Sequence, residues 1–357
     1  MNHTLTRACK PCIRAKKRCD RGLPRCLRCT DKGIECSYLN EPLRPSSERP
    51  KLSEAKDLSF VRQTREGPYE GFPNRRRFWR RPNGRILGID APTITQITDP
   101  AVFLPMDVDS LTDILKNLTL YPVDFVQKGG TDFIHPCSYR SFCPAPLQIA
   151  ADICQVHAGP SVQERQSQSG HFRSSAQALL STADSLVDFR ETLAFVQSLC
   201  LLQILALFSP GSTKQIQAEG AQRQQLLKTW TEKLWASAPS ELPHTLSMQE
   251  AYVLAEAVRR TIIVSHKIQG CYRVLRTGFF MHTIFVESLP FGRNSHLWES
   301  EVCLAKITTN DTELLSYREY CDLWDTGQIH TPTPFERMLL VGCKGKAAVD
   351  ERLGQSS

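Results

Sequence analysis

No catalytic signature runs through this sequence of 357 residues. It contains no Gly-rich phosphate loop, no G-x-S-x-G elbow and no H-E-x-x-H pair, so the most recognisable routes to phosphoryl transfer, acyl transfer and metal-assisted hydrolysis are missing. The nine histidines are dispersed. His135, His157, His171, His266 and His282 have no partner identifiable along the chain, and each is expected to be structural or at the surface. We therefore expect no enzyme activity. Between residue 37 and about residue 100 there are no heptads and the prolines are dense, so no coiled-coil dimerisation is expected through that segment. The most apolar segment, Leu193 to Phe208, has sixteen residues and includes Gln197, Ser198 and Gln203. A membrane span needs about twenty, so a buried core helix and no membrane partner are expected. The first eight residues, MNHTLTRA, hold no apolar stretch of the kind a secretory leader requires.

What the chain does have is cysteine, fourteen in all. Six of them, Cys9, Cys12, Cys19, Cys26, Cys29 and Cys36, form C-x2-C-x6-C twice, with an offset of 17. Two cysteines separated by two residues can bind one metal from a single turn, and a third thiolate six residues on reaches back to it. A tetrahedral zinc takes four sulfurs at about 2.3 Å. Two three-ligand halves satisfy two zincs only if one cysteine of each half is shared. Closed sites of this kind leave no position for a reacting water, so the metal is structural. A disulfide framework suits six clustered cysteines too, but the missing leader argues against it. A zinc module that binds protein instead of nucleic acid is the other alternative. The remaining eight cysteines, among them Cys137 and Cys143, are scattered and read as ordinary reduced thiols.

The spacing, the repeat and the basic residues between ligands resemble the fungal Zn2Cys6 binuclear zinc cluster family of DNA-binding transcription regulators. The resemblance implies two Zn2+ ions, one held by Cys9, Cys12, Cys19 and Cys26 and the other by Cys26, Cys29, Cys36 and Cys9, with Cys9 and Cys26 bridging. It also implies that a short helix starting just after Cys12, from Ile13 to Arg18, enters the major groove of double-stranded DNA at CGG-type sites. Lys16 stands at the family's base-reading position, while Arg14, Lys17 and Arg18 are expected on phosphates or base edges. Ile13 and Ala15 occupy two positions where the family commonly carries a basic residue. Pro24, two residues before Cys26, matches the family's loop proline, and Gly33 is expected to turn the second half.

Charge is distributed unevenly. Residues 1 to 40 carry a net +7, residues 41 to 85 a net +6 and the remainder a net −6, so an anionic partner is expected for the amino-terminal part alone. Residues 41–100 read as a basic, Pro-rich, largely disordered linker, punctuated by Pro42, Pro45, Pro50, Pro68, Pro73 and Pro82. Within it, five arginines flank Phe78 and Trp79 in NRRRFWRRPNGR, a cluster suited to nuclear localisation or to DNA phosphates.

From about residue 101 the periodicity turns helical. LTDILKNL (111 to 118), LQIAADICQVH (147 to 157), one or two helices ending at Ser209-Pro210-Gly211, and GAQRQQLLKTWTEKLWASAP (220 to 239) are the main signals. Ser247 with Glu250 three residues on forms a capping box before a long apolar stripe. Glu256, Arg259, Arg260 and Thr261 resemble the E-S-x-R-R-T stretch of the family's helical middle domain, and LPFGRNSHLWESE resembles its later proline and tryptophan segment. Glu256 and the two arginines are expected to form an internal ion-pair network.

The expected fold class is a small Zn2Cys6 cluster domain plus a mainly all-α regulatory domain, joined by a disordered Pro/Arg-rich linker. The parts are residues 1–40, the DNA-binding domain; 41–100, the linker; 101–344, the helical regulatory domain; and 345–357, a flexible tail. The expected function is a zinc-dependent, sequence-specific transcription regulator in the nucleus. By analogy with the family it would control a fungal secondary-metabolite or catabolic gene set, with the transcription machinery or co-regulators as partners of the helical domain. The alternative is a non-catalytic interaction regulator that keeps the zinc fold but binds DNA weakly.

Overall fold

The structure, a computed structural model, describes residues 9–19, 27–36, 102–139, 142–157, 169–238, 246–282, 284–308, 311 and 313–355. The linker and its arginine cluster lie outside these residues, as does Cys26. The chain divides into two compact units, Met1–Glu54 and Ala55–Ser357. In the first, two five-residue helices, α1 (Lys10–Arg14) and α2 (Leu27–Asp31), carry the cysteine repeat.

The second unit is mainly helical. It opens with β1 (Val102–Pro105) and α3 (Val108–Lys128). Asp107 caps α3 by accepting from the Ser110 N–H at 2.7 Å, and Gly129 ends it at φ 68°. The short stretch expected at 111 to 118 thus runs on through a buried Pro122. α4 (Ala145–His157), α5 (Ser169–Ser181), α6 (Phe189–Phe208), α7 (Lys214–Gln222) and α8 (Gln224–Ser237) follow. The helix expected over 220 to 239 is therefore shorter, with a break at Arg223 that separates α7 from α8.

Every residue of α6 from Leu193 to Ala206 is buried, as a helix apolar on all sides must be. α6 is long and apolar enough to cross a membrane, yet 83% of its most apolar window is buried inside the unit. α4, α8 and α9 (Met248–Thr277) pack around it. Its three polar residues find partners in that packing. The Gln197 amide donates to Phe133 O at 2.7 Å and accepts from the Tyr139 hydroxyl at 2.7 Å, Ser198 donates to Ala194 O, and Gln203 donates to Gly220 O at 3.0 Å. A side chain at Gly220 would meet Ala206 and Leu207 at about 3 Å, so glycine sets how closely α7 approaches.

α9 starts on the expected Ser247–Glu250 capping box and ends on left-handed Gly278. β2 (Phe279–His282) then pairs antiparallel with β1, Leu104 opposite Phe280. α10 (Ile284–Ser288), β3 (Pro290–Gly292), α11 (His296–Glu299), α12 (Glu301–Leu304) and β4 (Leu314–Ser316) fill the next stretch, with β3 and β4 antiparallel. α13 (Tyr317–Asp325), α14 (Pro334–Lys344) and α15 (Lys346–Gln355) complete the unit.

α15 corrects the expected flexible tail. Val349 is wholly buried, the Lys346 N–H donates to Ser110 Oγ at 2.7 Å, and Arg337 bridges Asp113 and Asp350 at 2.7 Å each. One buried valine and an arginine shared between helices dock a segment whose composition is mostly polar.

Lys267 on α9 is buried among apolar groups. Its ammonium donates to the Tyr317 hydroxyl at 3.0 Å and lies over the Tyr317 ring at 4.9 Å. Burial holds its pKa below the ordinary lysine value, and the Cys271, Cys343 and Cys321 thiols offset this only in part. Above the unfolded value both states are neutral; below it the unfolded chain binds the proton more readily. Stability therefore rises with pH through the window between the folded pKa and the ordinary lysine value. A Lys267→Met chain should gain about 1 kcal/mol or more at neutral pH and should lose that pH-dependent rise. Urea unfolding at pH 7 and pH 10 checks both points, and a variant less stable than wild type at pH 7 would refute the first.

Candidate metal and nucleic-acid site

Cys9 has extended backbone (φ −66°, ψ 153°) and forms the N-cap of α1, with Pro11 in the first turn, where its missing N–H costs nothing. Ala15 caps the other end and Lys16 follows in the left-handed region at φ 51°. The Lys16 N–H donates to Ile13 O at 3.0 Å and the Lys17 N–H to Cys12 O at 3.0 Å, the paired bonds of a left-handed helix stop. The second half repeats this arrangement. Gly33 lies at φ 61°, its N–H donates to Thr30 O at 3.2 Å, and the Ile34 N–H donates to Cys29 O at 2.9 Å. The 17-residue repeat is thus a backbone repeat, and it sets Lys16 where its twin has Gly33.

The expected readout helix is accordingly corrected. It runs from Lys10 to Arg14, not from Ile13 to Arg18, because Pro11 favours the earlier start and the left-handed Lys16 ends it. Arg14 is its last residue, while Lys16, Lys17 and Arg18 lie on the exit turn and the segment leading to Cys19. All four cations are exposed, as is Ile13 at 39%.

Three sulfurs, those of Cys9, Cys12 and Cys29, lie within 4.8 Å of one another, and all three residues are wholly buried. Cys9 Sγ is 3.7 Å from Cys29 Sγ and 3.8 Å from Cys19 Sγ. Thiolates bound tetrahedrally at about 2.3 Å sit about 3.8 Å apart, so the donor set and its spacing fit zinc. Cys9 thus neighbours a sulfur of its own half, Cys19, and one of the other half, Cys29. Cys19 and Cys36 pack against the buried three. The Arg28 guanidinium donates across the halves to Cys12 Sγ at 3.6 Å, a contact that the sequence alone did not suggest.

Residues 7–46 match the family described as the fungal Zn(2)-Cys(6) binuclear cluster domain. They belong to it. The chain as a whole is similar to transcription factor gsfR2 of Penicillium aethiopicum, with 25% identity over 344 residues, covering 83% of this chain and 81% of that protein. No solved structure matches the chain. The Zn2Cys6 domain match at residues 7–46, together with a transcription factor similar over most of the chain, supports a zinc-binding, DNA-binding transcription regulator.

In the helical unit, the expected Glu256 network forms. The Glu256 carboxylate accepts from Arg259 Nε at 3.0 Å, from Arg260 Nε at 2.9 Å and from the Gly292 N–H at 3.0 Å. A side chain at Gly292 would meet the Tyr252 hydroxyl at 3.0 Å, so glycine permits β3 to come this close. Arg260 lies over the rings of Phe335 and Trp298 at 4.4 and 4.8 Å. Of the scattered thiols, burial pushes up those of Cys154 and Cys200, and that of Cys271 to about 12. These are protonated packing residues, in keeping with their reading as reduced thiols.

Proposed function

We propose that the Zn2Cys6 domain reads CGG-type triplets in the major groove with Lys16. In this reading two zinc ions are held by Cys9, Cys12, Cys19 and Cys26 and by Cys26, Cys29, Cys36 and Cys9, and Arg14, Lys17 and Arg18 contact phosphates or base edges. The protein acts in the nucleus on a fungal secondary-metabolite or catabolic gene set, and the helical unit engages co-regulators. The observation that carries the reading is the backbone at Lys16. A left-handed residue other than glycine costs about 1 kcal/mol, and the second half fills the same place with Gly33. A lysine there holds an exposed cation at a fixed point just beyond a metal-pinned helix.

Selection of bound sequences from a randomised duplex pool tests this, with wild type, Lys16→Ala and Lys16→Gly compared at one salt concentration. Wild type should enrich CGG. Both variants should lose the enrichment, a loss of about 1–3 kcal/mol of base discrimination, while Lys16→Gly keeps zinc and unfolds no more easily than wild type. Enrichment that survives in Lys16→Gly would remove Lys16 from the readout. The exposed Ile13, apolar among cations, favours the second reading, a regulator that binds DNA weakly and acts through another protein. A wild-type chain that enriches no motif would favour that reading.

A further inference from the structure

The cations of a DNA-binding module are by default assigned to phosphates, and Arg14, Lys16, Lys17 and Arg18 are exposed as that role demands. Arg28 differs from them. It is half-buried, and its guanidinium points at the first half's Cys12 sulfur, 3.6 Å away, although it belongs to the second half. We infer that Arg28 is a positioning residue of the metal cage, clamping the Cys12 thiolate from across the repeat and tightening the hold on the zinc that Cys12 binds.

The inference rests on the zinc reading above. Under it Cys12 is a terminal ligand, bound to one metal, and keeps more negative charge than a sulfur shared by two. Six thiolates against two Zn2+ leave the cage formally negative, and a cationic N–H···S bond offsets that charge where it is concentrated. Seventeen residues earlier, at the position equivalent to Arg28, stands Pro11, whose side chain has no donor. The same proline starts α1, so the repeat uses one position for helix initiation in one half and for thiolate support in the other.

Chelator titration of the full zinc-loaded chain tests the clamp, with zinc counted per chain. Wild type should release two zincs. In Arg28→Ala, one of the two should be lost to about 10- to 100-fold less chelator, while the other keeps its wild-type midpoint. Arg28→Lys, which restores the charge without the planar fork, should recover part of the difference. The dependence of DNA affinity on salt provides a readout that a phosphate contact would move, and its slope should be the same in Arg28→Ala as in wild type. Two zincs released as in wild type, or both weakened by the same factor, would overturn the clamp while leaving the zinc reading intact. A slope reduced by about one unit would make Arg28 a phosphate contact instead. A wild-type chain that does not hold two zincs would overturn both.

Discussion

A Cys9→Ser chain is expected to lose both zinc ions and all sequence-selective DNA binding, while its far-UV circular dichroism stays close to that of wild type. Cys9 Sγ lies 3.7 Å from Cys29 Sγ and 3.8 Å from Cys19 Sγ, so it is in reach of sulfurs from both halves of the repeat. As the proposed bridge it serves two metals, whereas Cys19 and Cys36 serve one each. Among its described residues, the amino-terminal unit has little else to hold it. Its core is Cys9, Cys12 and Cys29, with Cys19 and Cys36 packed against them, and modules of this size seldom fold on apolar burial alone. Structural zinc contributes about 10–16 kcal/mol to such a fold, as much as the whole stability of a typical domain. The helices that dominate the circular dichroism belong to the other compact unit and do not depend on that metal. Elemental analysis of the purified protein gives the zinc count, and Cys36→Ser is the comparison. Two zincs lost from Cys9→Ser and one from Cys36→Ser fit a bridge. One zinc retained at wild-type affinity in Cys9→Ser would assign Cys9 to a single metal.

The parts of the fold written in local chemistry were legible beforehand. The Ser247–Glu250 box caps α9, the apolar run of α6 is a buried helix, and the Glu256 network is internal. Each depends on residues a few positions apart, or on a composition that leaves one physical solution. The cysteine repeat was equally open, because ligand spacing is a local property. Four features were hidden, for different reasons. The end of α1 is hidden because Lys16 is not a residue that announces a left-handed stop, and only its equivalence to Gly33 gives it away. α15 looks like a flexible tail in sequence because its polar composition outweighs one buried Val349, and the ion pairs that dock it come from Asp113 and Arg337, far off in sequence. The β1–β2 and β3–β4 pairs have three or four residues per strand, too few for an alternating pattern to register, and their partners are distant. Arg28 at Cys12 belongs with these, since a side chain crossing between two repeats leaves no trace in the spacing of either.

Glu256→Ala is the substitution in the helical unit from which we expect the largest loss. The carboxylate, wholly buried, is the shared partner of two guanidinium groups that are each 1% exposed. Burial alone would raise its pKa, but Arg259 and Arg260, with the Gly292 N–H, bring it below the ordinary carboxylate value. The network then runs outward from Arg260. That side chain donates to Asp132 O and to Ser295 Oγ, both at 3.3 Å; Ser295 donates to Glu336 at 2.8 Å, and Glu336 accepts from the Thr333 N–H in the capping box of α14. Removing Glu256 leaves two buried cations without their common anion. Breaking a buried pair in this way costs about 3–5 kcal/mol, a large share of the roughly 5–15 kcal/mol that holds a domain together. The thermal midpoint should fall by roughly 6–20 °C at 2–4 °C per kcal/mol. Glu256→Gln keeps a carbonyl acceptor for one arginine and should lie between the two. Because the folded carboxyl has the lower pKa, its contribution is present above the unfolded value and is lost as the pH falls through the folded one. Wild type should therefore converge toward Glu256→Ala in strongly acidic solution, below the ordinary carboxylate range. Melting curves followed by circular dichroism at pH 7 and pH 3 measure both effects. Zinc content should be unchanged in Glu256→Ala, since the cysteine repeat is in the other unit. A variant that melts with wild type at pH 7 would mean that the buried charges are not holding the unit together, and would move them to recognition of a ligand or partner.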